Sequence, residues 1–213
     1  MMNFKAIIFD MDGVLFDTES FYYRRREVFL NDRGISIKHL PPSFFIGGNM
    51  KQVWQHILRD DYDKWDVDKL QKDYTAYKDK HPLPYPSLVF DDTVSVIEAL
   101  DKKGIALGLA SSSTKSDILK ALDSMNIRSY FKVILSGEEF VESKPDPAIY
   151  EEAARQICCP KEDILVVEDS EKGIAAGVAA GLTTWAVKDT RFGMDQSQAA
   201  GFIHRLSDLL EKD

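Results

Sequence analysis

Two carboxylates, one residue apart, follow one of the most apolar short runs of the chain. In AIIFDMDG, the run Ala6–Phe9 is followed by Asp10, and Asp12 comes just before Gly13. An isolated carboxylate is costly to bury unless it is paired, hydrogen-bonded or bound to a metal. We therefore expect the end of this strand either to be open to solvent or to face a cation.

Further polar groups follow the later apolar runs, at the point where each run ends. These groups are Ser111, Ser112, Ser113, Lys144, Glu168 and Asp169. In an open parallel sheet, ligands bind outside the carboxyl ends of the strands, so these side chains should meet at one edge. Four acids, a lysine and hydroxyls at one edge fit a hard cation. Mg²⁺ is the best candidate, since it takes a few carboxylates together with a substrate phosphate.

Each of these signals also has an ordinary structural explanation. An Asp-x-Asp pair can be a polar turn, and acids before a serine can cap a helix. A loop lysine usually lies in water, and a run of serines can cap the next helix. All of these explanations would have to hold at once along successive strand ends, so their order along the chain favours one shared site.

The elements that would position these residues alternate along the chain. Five apolar runs predict strands, at Phe4–Phe9, Ile105–Ala110, Lys132–Leu135, Ile164–Val167 and Leu182–Val187. They are apolar almost throughout, as in strands covered on both faces. Segments with helical spacing lie between the later runs, bounded by residues such as Pro147, Ser170 and Gly181. We therefore predict an α/β fold with a doubly wound parallel sheet.

The first crossover is much longer than one helix requires. About ninety residues lie between Asp12 and Ile105. Apolar residues at helical spacing predict three helices there, and the proline-rich HPLPYPS closes the insert with an extended return. We predict a small all-α domain at 17–87, inserted into an α/β core domain formed by 1–16 and 88–213.

Composition and charge argue against several classes of partner. The chain has 213 residues and a formal net charge of -8, so nucleic acid and anionic membrane surfaces are not expected partners. The short basic run Arg24-Arg25-Arg26 is expected on a solvated helix face. Adjacent Cys158 and Cys159 indicate neither a disulfide framework nor a zinc site. With no apolar run of membrane-spanning length and no signal-like start, a cytoplasmic protein is expected.

The motifs closely resemble those of the haloacid dehalogenase-like superfamily. DMDGVLFDT is similar to its first motif, the serine of LASSS to its second, the lysine of ESKPDP to its third and VVEDSEKGI to its fourth. The insert between the first two motifs resembles the family's type 1 helical cap. The resemblance covers residues 4 to about 187, and it points to the branch that holds β-phosphoglucomutase and small phosphatases.

The resemblance implies Mg²⁺-dependent phosphoryl transfer through an aspartyl phosphate. Asp10 would be the nucleophile and Asp12 the general acid and base, for which Asp12 needs a raised pKa. The metal ligands would be Asp10, the backbone carbonyl of Asp12, Asp169 and, directly or through water, Glu168. The phosphoryl group would be bound by Ser111, the Ser112 backbone amide and Lys144. Because of Asp12, carbon–halogen cleavage is not expected.

The acceptor of the phosphoryl group decides between the enzymatic alternatives. In the mutases of this branch a histidine follows the Asp-Thr pair, but here Tyr22 stands at that distance from Asp17 and Thr18. Their substrate loop carries an arginine, whereas FIGGNMK offers Asn49 and Lys51 after Gly48, and Lys72 could supply the charge instead. These departures favour a phosphatase acting on a small phosphorylated metabolite, such as a sugar phosphate.

Two alternatives stay open: a β-phosphoglucomutase-like sugar-phosphate mutase and, more remotely, a non-catalytic phosphate-binding protein. A turn at Gly48 could face the substrate or mark a helix boundary. We expect a monomer, although nothing in the sequence sets the oligomeric state.

Overall fold

A six-stranded parallel sheet lies at the centre of the computed structural model, which describes residues 4–47 and 53–211. Its strands are β1 (Ala6–Phe9), β2 (Ala106–Ser111), β3 (Phe131–Ser136), β4 (Ile164–Glu168), β5 (Thr183–Val187) and β6 (Gly201–Ile203). They run in the order β3-β2-β1-β4-β5-β6. The chain builds outward from β1 in both directions, so the switch point lies between β1 and β4. The predicted doubly wound α/β fold is confirmed.

The two central strands are buried over their whole length, which explains their continuous apolar runs. In β1, Ile7 and Phe9 pack on one face of the sheet, and Ala6 and Ile8 pack on the other. All five predicted strands are present to within two residues at each end. Strand β6 was not predicted, because it has three residues and its central Phe202 is exposed.

Helices cover both faces of the sheet. Among the described residues they are α1 (Glu19–Asn31), α2 (Trp54–Leu58), α3 (Val67–Lys80), α4 (Thr93–Lys102), α5 (Lys115–Ser124), α6 (Ala148–Ile157), α7 (Glu171–Ala179) and α8 (Asp208–Glu211). Apolar side chains of α4, α5 and α8 pack on the face of Phe9, and those of α6 and α7 pack on the opposite face. None of the helices in 4–47 and 53–211 has the length and apolarity needed to cross a membrane.

The insert has an apolar cluster of its own. Phe29, Trp54, Leu70 and Tyr74 are buried in it, and every buried member of this cluster lies between Phe29 and Tyr74 in sequence. Three helices, α1 to α3, occur where the spacing predicted them. This separate cluster supports the division at 17–87 and at 1–16 with 88–213, which stays a prediction.

The expectation of a solvated face for the basic run is wrong for two of its three arginines. Arg24 is exposed, but Arg25 and Arg26 are 6% and 8% exposed. The guanidinium carbon of Arg26 lies 4.3 Å from the ring centroid of Phe45, and that of Arg25 lies 5.3 Å from the ring centroid of Tyr22. Charge-run counting cannot detect such burial, because it depends on where the neighbouring loops pack against α1.

Candidate active site

The residues that follow β1, β2 and β4 meet at the carboxyl edge of the sheet, as predicted. Lys144, from the loop after β3, reaches them there. Its Nζ lies 2.6 Å from Asp10 Oδ1 and 2.7 Å from Glu168 Oε1. These three groups come from three parts of the chain, so their contact depends on the sheet order that places β1 between β2 and β4.

Lys144 is buried, with 3% of its surface exposed, and its Nζ is bound to protein oxygen atoms on several sides. Besides the two carboxylates, the Ala110 carbonyl lies at 3.0 Å and the Tyr150 hydroxyl at 2.9 Å. Burial opposes the charge of Lys144, but Asp10 and Glu168 outweigh it and raise the pKa well above its ordinary value. A phosphoryl oxygen could therefore bind this charged lysine only by replacing one of these partners.

Both oxygens of Glu168 are held by protein donors. Oε1 accepts hydrogen bonds from Lys144 and from the Tyr150 hydroxyl at 2.8 Å. Oε2 accepts from the backbone amides of Asp169 and Ser170 and from the Ser170 hydroxyl. Burial alone would raise the pKa of Glu168, but the Lys144 charge and these hydrogen bonds lower it. The geometry therefore favours a counter-ion role for Glu168, and its part as a metal ligand stays a prediction.

Asp10 is held at both carboxylate oxygens. Oδ1 faces Lys144, and Oδ2 accepts the backbone N–H of Asp12 at 2.8 Å. Burial raises its pKa to about 7; Lys144 opposes this shift, whereas the charges of Glu168 and Asp12 add to it. The carboxylate borders the cavity between the sheet edge and the insert. Its orientation is thus set before any ligand arrives.

Asp12 is bound by three hydroxyl groups. Thr18, directly before α1, donates to its Oδ1 at 2.6 Å, and Ser113 and Ser111 donate to its Oδ2 at 2.7 and 3.3 Å. Burial raises the pKa of Asp12, and these hydrogen bonds oppose the rise. The predicted acid–base residue is therefore tied to the start of the insert through Thr18.

Asp169 lies against the turn of the first motif. Gly13 has a φ of +80°, and a Cβ built there would stand 2.0 Å from Asp169 Oδ2, so the close approach requires glycine. Burial raises the pKa of Asp169 well above its ordinary value, and the charges of Glu168, Glu19 and Asp10 raise it further. Asp169 thus lies among other acids, where a cation would be favourable.

This donor chemistry fits Mg²⁺. In the described parts of the chain, no three His, Cys, Asp or Glu side chains converge as a ready metal cage. Mg²⁺ does not need one, because it binds through one or two carboxylates and completes its shell with water, backbone carbonyls and phosphate. Asp10 and Asp169 supply two buried carboxylates whose pKa values are raised by burial and by neighbouring negative charge.

The serines at the end of β2 make different contacts, Ser111 within the core domain and Ser112 with the insert. Ser111 is buried, and its hydroxyl accepts the Ser113 backbone N–H at 3.0 Å. The Ser112 hydroxyl contacts the Gly47 carbonyl of the insert at 3.3 Å, so its side chain links the core to the insert. Their predicted binding of the phosphoryl group stays a prediction.

The predicted insert residues have different outcomes. Tyr22 borders the cavity, and its hydroxyl lies 3.2 Å from Ser113 Oγ, one hydrogen bond away from Asp12. Burial and the charge of Asp12 raise the pKa of Tyr22 well above its ordinary value, so it stays neutral. Lys72 is exposed and borders the same cavity. Gly48, Asn49 and Lys51 lie outside the described residues.

The geometry of the site agrees with the comparison of the whole chain with known proteins. The family model for haloacid dehalogenase-like hydrolases matches residues 7–187. The chain belongs to this family. It is 29% identical over 182 residues to a phosphoglycolate phosphatase of Aquifex aeolicus, which covers 84% of this chain and 83% of that protein.

Two further likenesses extend over nearly the whole chain. The pyrophosphatase PpaX of Anoxybacillus flavithermus is 26% identical over 218 residues, covering 98% of this haloacid dehalogenase-like chain and 96% of the relative. The crystal structure of β-phosphoglucomutase from Clostridium difficile has a TM-score of 0.81 at 20% identity, covering 97% and 93% of the two chains. The likeness to the β-phosphoglucomutase structure shows a shared fold.

Sequence reasoning missed several residues that shape the site. Tyr150 joins Lys144 to Glu168, and its position on α6 gave no signal other than an apolar helix face. Gln196 is buried and donates to the Asp169 carbonyl at 2.6 Å, from a polar loop without a motif. Glu19 borders the cavity beside Asp12 and could have been found from its place directly after the first motif. Arg25, on α1, also borders the cavity.

Proposed function

We propose that the protein is a Mg²⁺-dependent phosphatase that acts on a small phosphorylated metabolite, with Asp10 as its nucleophile. The observation that carries this proposal is the fixed position of Asp10, held by Lys144 at one oxygen and by the Asp12 amide at the other, at the edge of a cavity of about 760 Å³. A carboxylate fixed by such donors meets phosphorus in one orientation. The relatives named phosphoglycolate phosphatase and pyrophosphatase support hydrolysis of a small phosphate compound.

The reaction proceeds in two transfers. Asp10 attacks phosphorus, the bond from phosphorus to the leaving oxygen breaks, and Asp12 gives its proton to that oxygen. Water then attacks the aspartyl phosphate, Asp12 takes its proton, and free phosphate leaves. Burial raises the pKa of Asp12, which favours the protonated carboxyl needed in the first transfer. Ser111, the Ser112 amide and Lys144 bind the phosphoryl oxygens.

The residues that would hold Mg²⁺ are Asp10, Asp169 and the backbone carbonyl of Asp12, with Glu168 at most through water. When bound, the ion offsets the negative charge of both the nucleophile and the phosphoryl group.

A colorimetric assay with p-nitrophenyl phosphate tests the proposal. Release of phosphate is expected with Mg²⁺, and EDTA should stop it. Asp10→Asn should abolish turnover, whereas Asp123→Asn on the surface of α5 should leave it unchanged, because its ion pair with Arg128 is exposed. If no turnover that depends on Asp10 is found with this ester or with a panel of small phosphate esters, the non-catalytic alternative gains.

The mutase alternative differs in the acceptor. Tyr22 replaces the histidine that the mutases place after the Asp-Thr pair, and this departure supports water as the acceptor. Incubation with β-glucose 1-phosphate and a trace of the bisphosphate separates the two: free phosphate supports the hydrolase, and glucose 6-phosphate supports the mutase.

A further inference from the structure

Arg25 on α1 is a buried cation, and two of its three guanidinium nitrogens have no hydrogen-bond partner among the described residues. It is 6% exposed and borders the same cavity as Asp10 and Asp12. Its Nη1 donates to the His81 carbonyl at 3.0 Å. Within 4–47 and 53–211, its Nε and Nη2 have no hydrogen-bond partner. Buried donors are nearly always paired in native proteins, so this pair points to a ligand.

The two free donors form a recognition edge. Nε–H and the adjacent N–H of Nη2 point the same way in the plane of the guanidinium group. This edge donates two parallel hydrogen bonds to a carboxylate or a phosphate group. The contact to His81 uses the other side of the group, and it therefore explains how Arg25 is held without satisfying the edge.

No protein acid fills this role in the described part of the chain. Asp117, Asp79 and Glu138 border the cavity, but none forms an ion pair with Arg25. The Nε and Nη2 donors of Arg25 are therefore available to an anionic ligand.

One side chain separates the guanidinium group of Arg25 from the acid–base residue. The guanidinium carbon of Arg25 lies 5.3 Å from the centroid of the Tyr22 ring. The Tyr22 hydroxyl lies 3.2 Å from Ser113 Oγ, and that atom lies 2.7 Å from Asp12 Oδ2. Because Asp10, Asp12 and Arg25 all border the same cavity, one ligand bound there could contact both the nucleophile and Arg25.

We propose that Arg25 binds a second anionic group of the substrate, a carboxylate or a second phosphate, while the transferred phosphoryl group lies at Asp10. This inference rests on the proposed phosphatase function and narrows its substrate class to small phosphate esters that carry two anionic groups. Arg25 contacts the part of the substrate that does not react, so it determines specificity.

A matched pair of substrates tests the inference. 2-Phosphoglycolate and 2-hydroxyethyl phosphate share a two-carbon chain, but only the first carries a carboxylate. We expect the unmodified protein to prefer 2-phosphoglycolate. Arg25→Met should lower kcat/KM for 2-phosphoglycolate about 10- to 100-fold, chiefly through a higher KM. This is the range expected for losing a charge-assisted double hydrogen bond. The same change should alter kcat/KM for 2-hydroxyethyl phosphate less than about twofold.

Two further variants separate binding from folding. Arg25→Lys keeps the charge and loses the paired edge, so it should recover only part of the preference. Arg24→Met removes the exposed neighbouring arginine and should leave both substrates unchanged. Equal losses on both substrates after Arg25→Met would make Arg25 a structural residue and overturn the inference while the phosphatase function stands. An unmodified protein with no preference would overturn it as well.

If the unmodified protein hydrolyses neither substrate, that result counts against the proposed phosphatase function. The role of Arg25 is then tested by ligand binding. Calorimetry should then show tighter binding of 2-phosphoglycolate than of 2-hydroxyethyl phosphate, and Arg25→Met should remove the difference. If the two compounds bind equally, the inference is wrong.

Discussion

Replacing Glu168 by glutamine removes one charge from the centre of the site while it preserves the shape of the side chain. The carboxylate accepts from Lys144 and Tyr150 at Oε1, and from the Asp169 amide and both donors of Ser170 at Oε2. A glutamine has one acceptor oxygen and one NH₂ group. In one orientation the NH₂ group faces the two donors at the Oε1 position, and in the other it faces the three donors at the Oε2 position, so hydrogen bonds are lost either way.

The expected cost is large because the site is closed to water. Glu168 is 1% exposed and Lys144 is 3% exposed. Removing one partner of a buried ion pair costs about 3–5 kcal/mol, since the other charge stays buried. We therefore expect Glu168→Gln to lower the free energy of unfolding by about 3–5 kcal/mol at neutral pH. Urea denaturation of the purified protein measures this difference.

Glu152→Gln is the matched control. Glu152 pairs with Arg155 on α6, but the arginine side chain is 71% exposed. Exposed ion pairs contribute about 0–1 kcal/mol, so the same substitution should cost little there.

The measurement is repeated with and without Mg²⁺. A counter-ion of Lys144 is needed in both conditions, whereas a metal ligand matters only when the metal is present. If Glu168→Gln lowered the free energy of unfolding by less than about 1 kcal/mol without Mg²⁺, the counter-ion role of Glu168 would be refuted, because breaking an exposed ion pair costs as much.

Three further predictions concern the turns around the site. Gly13→Ala would place a Cβ 2.0 Å from Asp169 Oδ2 and should lower phosphatase kcat more than tenfold, whereas Gly34→Ala, with a similar φ of +75° and nothing within 4 Å, should keep kcat unchanged. Gln196→Ala leaves two carbonyls without their donor and should lower the free energy of unfolding by about 1–3 kcal/mol in urea denaturation. Burial would raise the pKa of Asp189, but backbone N–H groups of the following loop outweigh it and lower the pKa. The stabilising effect of the Asp189 carboxylate is therefore complete above its unfolded pKa of about 3.9 and is lost as the pH falls through its folded pKa. Thermal denaturation should show that Asp189→Asn lowers stability at pH 7 and lowers it less near pH 3. A constant cost across this range would contradict the assignment.

Local patterns were sufficient for the scaffold and for the location of the site. Buried parallel strands are apolar without alternation, so the run Ile164–Val167 could be recognised from composition alone. Because parallel strands end at one edge, the position of Asp10 and Lys144 after such runs was enough to predict their meeting. Strand β6 could not be predicted from the sequence, because it has three residues and little apolar surface to bury.

The sequence by itself determined the five longer strands, the helices between them and which edge carries the chemistry, because strand periodicity and chain order are local properties. Only the tertiary structure decided what each buried charge faces. Glu168 is enclosed by donors from the turn after β4, from α6 and from the loop after β3, and Arg25 lies with one edge unpaired beside the cavity. A charge is stabilised by partners within a few ångströms, and those partners come from segments far apart in sequence.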